Sequence, residues 1–258
     1  MASDSLGHRE RSRIPLLVLA ATAPPLRREF YDWQMAAQTI LDAGVRGDLA
    51  TAHADTFADL GKPGDWLTAD EKLAAVRVVR AARENAEQPP WYRPSVDRED
   101  FGPLAAAAAD AVWRLTNHPG TLTEEWYAET VAALPSPEYY VELMGVAAVT
   151  NAMDRLASIL ELDLLPLPEP EAGEPTRPSL TSEVSSHWVP TELDFSGPNV
   201  LKASSVAPAV VEMRTRIGAA QYMDGAGRAD LNWSRGTLDR RQIELIAGVT
   251  SLHNECFY

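Results

Sequence analysis

Residues 137–160 read PEYYVELMGVAAVTNAMDRLASIL, and this run decides the fold. Ser136 followed by Pro137 is a helix start, a hydroxyl at the N-cap and a proline at the first helical position. Tyr140, Leu143, Ala147, Val149, Met153 and Leu156 fall on more than one face of that helix, and a helix apolar on several sides belongs inside a bundle. The neighbouring stretches supply the rest of it. Residues 26–41 predict a core helix with Phe30, Trp33, Ile40 and Leu41 near one face and Gly44 ending it. Thr68 with Glu71 is a capping box that opens a helix through Leu73, Val76, Val79 and Ala82 to about Asn85, where Pro89 and Pro90 stop it. An alanine-rich helix follows over residues 105–115, Thr123 caps another over 124–134, and helical patterning returns over 206–219 and after Thr237. No stretch alternates apolar and polar residues with β-branched enrichment, so no strand is expected and the fold class is all-α.

Between these helices, residues 165–190 read LPLPEPEAGEPTRPSLTSEVSSHWVP, whose repeated prolines forbid helix and favour an extended path. The chain then divides into an N-terminal segment (1–25), a helical region (26–164), a Pro-rich linker (165–200) and a C-terminal helical region (201–258). Trp188 and Phe195 are large apolar groups inside the linker, which predicts partial ordering against a surface.

The chain has 258 residues, 45% of them hydrophobic, enough for a real core, and a formal net charge of −14. That charge argues against nucleic acid or an anionic membrane as partner, because both need a basic patch. A single cysteine forms no internal disulfide and fits a reducing cytoplasm. Arg9, Arg11 and Arg13 precede the apolar run from Ile14 to Ala23, and Ala21-Thr22-Ala23 has the look of a signal cleavage site, but Pro24 and Pro25 at the scissile point obstruct cleavage. No run reaches the roughly 20 apolar residues of a membrane-spanning helix. His8, His53, His118 and His187 lack the spacing of a metal site, no Gly-rich phosphate loop or G-x-S-x-G elbow is present, and Trp113, Trp126, Tyr139 and Tyr140 read as core packing.

The chemistry is concentrated in residues 237–258, TLDRRQIELIAGVTSLHNECFY, which carry the only cysteine, Cys256. Laid on the helix opening at Thr68, this helix opening at Thr237 reaches an asparagine at the same offset, Asn254 against Asn85. A degenerate internal repeat and two unrelated capped helices both account for that. Glu244 precedes Cys256 in an E-x11-C pattern, with Ser251-x-x-Asn254-x-Cys256 inside it. In this respect the chain resembles the alkylhydroperoxidase AhpD-like, or carboxymuconolactone decarboxylase-like, superfamily, whose motif continues as C-x-x-C-x-x-x-H. Phe257 and Tyr258 are ordinary occupants between the paired cysteines, while the second cysteine and the histidine are missing. Residues 119–126, Glu138 to Glu142, Asn151 and Arg155 are similar to the family's helical region outside its active site, so the resemblance covers most of residues 67–164 and, more sharply, 237–258.

The resemblance implies an all-α AhpD-like bundle, assembled as a homo-oligomer, in which a cysteine pair reduces a hydroperoxide substrate and is regenerated by a dithiol reductant, with no cofactor. Glu244 and Cys256 would be catalytic, and Ser251 and Asn254 supporting. A straight helix would hold Glu244 and Cys256 roughly 18 Å apart, so the arrangement requires a break near Asn254-Glu255 and a second helix returning antiparallel with its histidine beside Glu244. The cysteine pair would then lie at a helix N-terminus, where free amides stabilise a thiolate. The position following Tyr258 is where the family places its second cysteine, and the expectation is selenocysteine there, encoded by a UGA codon, with Cys256 as the resolving thiol and residues 1–258 alone giving negligible turnover. The alternative reading is a non-catalytic all-α scaffold or interaction protein derived from that family; lactone decarboxylation lacks support, since members with that activity generally dispense with the cysteine pair.

Overall fold

The computed structural model describes residues 38, 40–42, 44–84 and 101–254. The helical elements in chain order are α1 (Gly47–Leu60), α2 (Ala69–Glu84), α3 (Ala106–Asn117), a 3-10 turn (Pro119–Thr121), α4 (Glu124–Ala132), α5 (Pro137–Ile159), α6 (Asn199–Lys202), α7 (Pro208–Gln221), α8 (Gly225–Ala229) and α9 (Arg240–His253). A two-stranded antiparallel pair, β1 (Ser182–Glu183) with β2 (Thr191–Glu192), interrupts them, pairing Ser182 with Glu192 and Glu183 with Thr191. The fold is all-α apart from that ribbon, which is too short to leave an alternating pattern in the sequence. No described helix is long and apolar enough to cross a membrane.

The central helix is α5. Ser136 accepts the Tyr139 amide at 3.2 Å and Pro137 sits in the first turn, as the sequence predicts. Tyr139, Leu143, Val146, Ala147, Val149 and Met153 are buried, and α2, α3 and α7 pack around them. Gly145 permits the closest approach: a Cβ there would lie 2.2 Å from Cγ1 of Val210 on α7, inside any possible van der Waals contact. That explains a glycine in mid-helix, where alanine would otherwise be favoured by roughly 1 kcal/mol.

The capping box at Thr68 is formed. The Thr68 amide donates to Glu71 Oε2 at 2.8 Å and the Glu71 amide donates to Thr68 Oγ1 at 3.2 Å. The other oxygen of Glu71 accepts the Tyr139 hydroxyl at 3.0 Å, which ties the start of α2 to the start of α5. The helix α1 was not anticipated by the sequence reading. Its N-cap is Arg46, which makes no side-chain cap hydrogen bond, and among Leu49, Phe57 and Leu60 its buried face carries Ala50, Ala52, His53, Ala54 and Thr56, small or polar residues that dilute the apolar period. Most of the helix expected over residues 26–41 lies outside the described residues, as do Asn85, Cys256 and the N-terminal arginines. Within the described part Ile40 is buried but Leu41 is exposed, since adjacent helical residues point about 100° apart. Gly44 turns the chain with a φ of +77°.

The loop of residues 64–67 joins the layers. Glu142 of α5 is fully buried and accepts the amides of Asp65 at 3.2 Å and Leu67 at 3.0 Å, together with that of Trp66. A Cβ on Gly64 would lie 1.6 Å from Glu142 Oε1, so only glycine admits the carboxylate. The Asp65 carboxylate in turn accepts the Thr176 hydroxyl at 2.8 Å and the Ala209 amide at 2.7 Å. Trp66 donates its indole N–H to Val206 O at 2.8 Å. The Pro-rich segment is fastened here: the amides of Glu171, Thr176 and Arg177 donate to the carbonyls of Gly61, Gly64 and Asp65, and Leu165 and Leu167 pack on the core. Further along, Trp188 is half-exposed and tilted against Tyr127 with ring centroids 6.5 Å apart.

Gly145→Ala should destabilise the protein by about 1–3 kcal/mol in urea unfolding, through overpacking against Val210. In a Val210→Ala background the same substitution should become neutral or stabilising, and an unchanged cost there would show that the contact is not responsible.

Candidate functional site

The helix α9 carries the residues singled out by the sequence, and its start differs from the expectation. Its N-cap is Asp239, not Thr237: Asp239 Oδ1 accepts the Gln242 amide at 3.0 Å and Gln242 Oε1 accepts the Asp239 amide at 2.9 Å, a reciprocal capping box. Thr237 instead lies inside the tight turn closed by the bridge between Arg235 and Leu238. Asn254 is therefore nearer its cap than Asn85 is to Thr68, and the alignment that suggested an internal repeat is out of register.

Glu244 projects from the first half of α9 and is held from two sides. Arg240, one turn earlier, donates Nε–H to Glu244 Oε1 at 2.7 Å, and the Tyr222 hydroxyl donates to Oε2 at 2.9 Å. The Tyr222 bond, with Arg240 second, holds the carboxyl below its ordinary range, so at neutral pH Glu244 is an ionised acceptor. Burial, and then Glu244 itself, raises the tyrosine. Arg240 also donates to the carbonyls of Gly227 at 2.6 Å and Asp230 at 3.1 Å, which anchors α9 on α8. The end of α7 is fixed by two guanidinium groups on Ala220 O, Arg46 at 2.6 Å and Arg235 at 2.5 Å.

Ser251 lies two turns beyond Glu244 on the same side of α9 and is half-buried, while His253 and Asn254 are exposed. The helix ends at His253, and Asn254 is its C-cap, with its amide bonded to Thr250 O at 3.1 Å. Cys256 lies outside the described residues; within them the structure brings together Glu244, Tyr222 and Arg240. Arg240 was findable from its i, i+4 spacing to Glu244; Tyr222, on a different element, left no sequence signal. The apolar character of α9 turns outward: Ile243 is its only buried residue, while Leu245 is 68% exposed, Ile246 55%, Val249 46% and Leu252 76%.

Other buried ionisable groups lie away from α9. Burial pushes Glu142 up to about 7, against the Trp66 and Leu67 amides and the Lys72 charge that favour its ionised form. Burial lowers His53 to about 4. Gln221 Nε2 donates both to Ala152 O at 3.1 Å and to His53 Nε2 at 3.0 Å, which assigns that ring nitrogen as the acceptor of a neutral imidazole.

No family model, no curated protein and no solved structure matches the chain.

The two shifted groups oppose each other in stability. Folded Glu142 keeps a proton that the unfolded chain releases between its ordinary 4.5 and about 7, so its contribution falls as pH rises through that window. Folded His53 refuses a proton that the unfolded chain takes up between 6.5 and about 4, so its contribution falls as pH falls. Each amounts to roughly 3 kcal/mol at its limit. Relative to wild type, His53→Gln should make urea stability fall more steeply from pH 4.5 to 7, and Glu142→Gln should make it rise more steeply from pH 4 to 6.5. Parallel curves for all three proteins would contradict both assignments.

Proposed function

We propose that the protein is a thiol- or selenol-dependent peroxidase or disulfide oxidoreductase of the alkylhydroperoxidase type, with a hydroperoxide substrate, a dithiol reductant and a homo-oligomeric assembly, in a reducing cytoplasm. What carries the reading is Glu244: an ionised carboxylate oriented by Tyr222 and Arg240 on the helix whose sequence reaches Cys256 just past the Asn254 cap. Such a carboxylate is suited to orient and charge-balance an imidazole that takes a proton from a thiol. In this reading Ser251 lines the same side and Cys256 is the resolving thiol of a pair whose other member is the attacking selenolate or thiolate. The exposed stripe of Leu245, Val249 and Leu252 supports it too, because the family's returning helix would pack against such a stripe.

The same stripe also fits the second reading, a non-catalytic all-α scaffold that uses α9 as a contact surface. The reading frame extended through the codon after Tyr258, assayed with cumene hydroperoxide and dithiothreitol, separates them. The peroxidase reading expects turnover that is abolished in Cys256→Ser and reduced by about tenfold or more in Glu244→Gln. Stability of Glu244→Gln should stay within about 1 kcal/mol of wild type, since an ion pair this exposed contributes little. Equal activity in wild type and Cys256→Ser would leave the scaffold reading. A codon other than UGA after Tyr258, or no in-frame histidine codon four positions beyond it, would remove the selenocysteine assignment.

A further inference from the structure

A second site, unrelated to α9, lies next to Pro63, just before the loop that Glu142 holds. Between the end of α1, the start of α2 and the middle of α7 is a cavity of about 180 Å³ lined by Asp59, Lys62, Lys72, Glu212, Met213 and Arg216. Its floor is an ammonium group: Lys72 is 2% exposed, and its Nζ donates to the carbonyls of Asp59 at 2.6 Å and Lys62 at 3.0 Å. These bonds cap the C-terminal end of α1 with a cation, a favourable place for one. They use two of the three N–H groups of Lys72 and leave the third.

The acids of the cavity wall are already engaged. Asp59 accepts Lys62 Nζ on Oδ1 at 2.9 Å and Arg216 Nη1 on Oδ2 at 2.7 Å, and Glu212 accepts Arg216 Nη2 at 2.9 Å. Behind the floor, the Glu142 and Asp65 carboxylates, which also act on Lys72, are taken up by amides and the Thr176 hydroxyl. Lys62 is half-exposed at the rim and retains two further N–H groups beyond its bond to Asp59. Three cations and two carboxylates thus line one concave space in which the cations outnumber the acids and donors remain.

We infer that this cavity is a binding site for a small oxyanion, a carboxylate or a phosphate, held by the remaining N–H groups of Lys62 at the rim and Lys72 on the floor. Charge-assisted hydrogen bonds to both ammonium groups supply the attraction, and the flanking Asp59 and Glu212 favour a singly charged, compact ligand over a polyanion. Such a ligand also relieves the burial that lowers the Lys72 ammonium's pKa, because it gives that cation a direct counter-charge.

The test titrates the full chain with inorganic phosphate and, separately, with acetate, each against sodium chloride at matched ionic strength, by calorimetry and thermal unfolding at pH 7. At least one probe should bind saturably and raise the unfolding temperature; phosphate alone identifies a phosphate site, acetate alone a carboxylate site. Lys62→Gln should weaken that binding about tenfold or more, through loss of a charge-assisted bond. Met213→Trp should block it by filling the space, and Arg241→Gln, on α9, should leave it unchanged. Lys72→Met is the direct test of the floor where it folds; Lys62→Gln and Met213→Trp decide the matter where it does not. Absence of a saturable response to either probe, or equal binding by wild type and Lys62→Gln, overturns the site.

Discussion

A carboxylate with no access to water grips three successive backbone amides at the centre of this molecule. Burying Glu142 is unfavourable by itself, and the amides of residues 65–67 are what make the position tenable. The arrangement works in both directions, since those amides belong to a loop with no ladder or helix of its own and would otherwise be buried without partners. With the loop fixed, Asp65 faces Thr176 and the start of α7, and the indole of Trp66 reaches Val206. The central helix, the Pro-rich segment and α7 therefore meet at one carboxyl group, and Gly64 is the residue whose missing side chain makes room for it.

The parts of the fold that were readable in the sequence are those determined locally. Ser136-Pro137, Thr123 and Thr68 with Glu71 cap the helices they were expected to cap, because a cap is a contact across three residues. The closing helix shows the limit of that logic. Thr237 and Asp239 are both competent caps, and what decides between them is the reciprocal bond to Gln242, which selects Asp239. The helix α1 escaped notice because its start has no side-chain cap and its buried face includes His53 and Thr56, polar residues whose burial depends on α7.

For the candidate site, the sequence indicated the residues of α9 but not their surroundings. Glu244 was identifiable by its spacing to Cys256, yet its ionisation is governed first by Tyr222, which arrives from the end of α7. The polar cavity beneath α7 could not be read at all, since Lys62, Lys72 and Arg216 are separated along the chain and share only Asp59 or its carbonyl. Charge composition pointed the other way: a chain with a net charge of −14 still gathers three cations around one cavity.

Adjacent residues at the end of α7 hold two distant groups. Gln221 grips His53 on α1, and Tyr222 grips Glu244 on α9. A single peptide unit thus serves as a yoke between a neutral imidazole in the interior and an ionised carboxylate at the surface. Burial keeps His53 unprotonated and Gln221 supplies the donor that its ring nitrogen accepts, so the residue pair that holds the surface carboxylate also matches the protonation state of the interior ring.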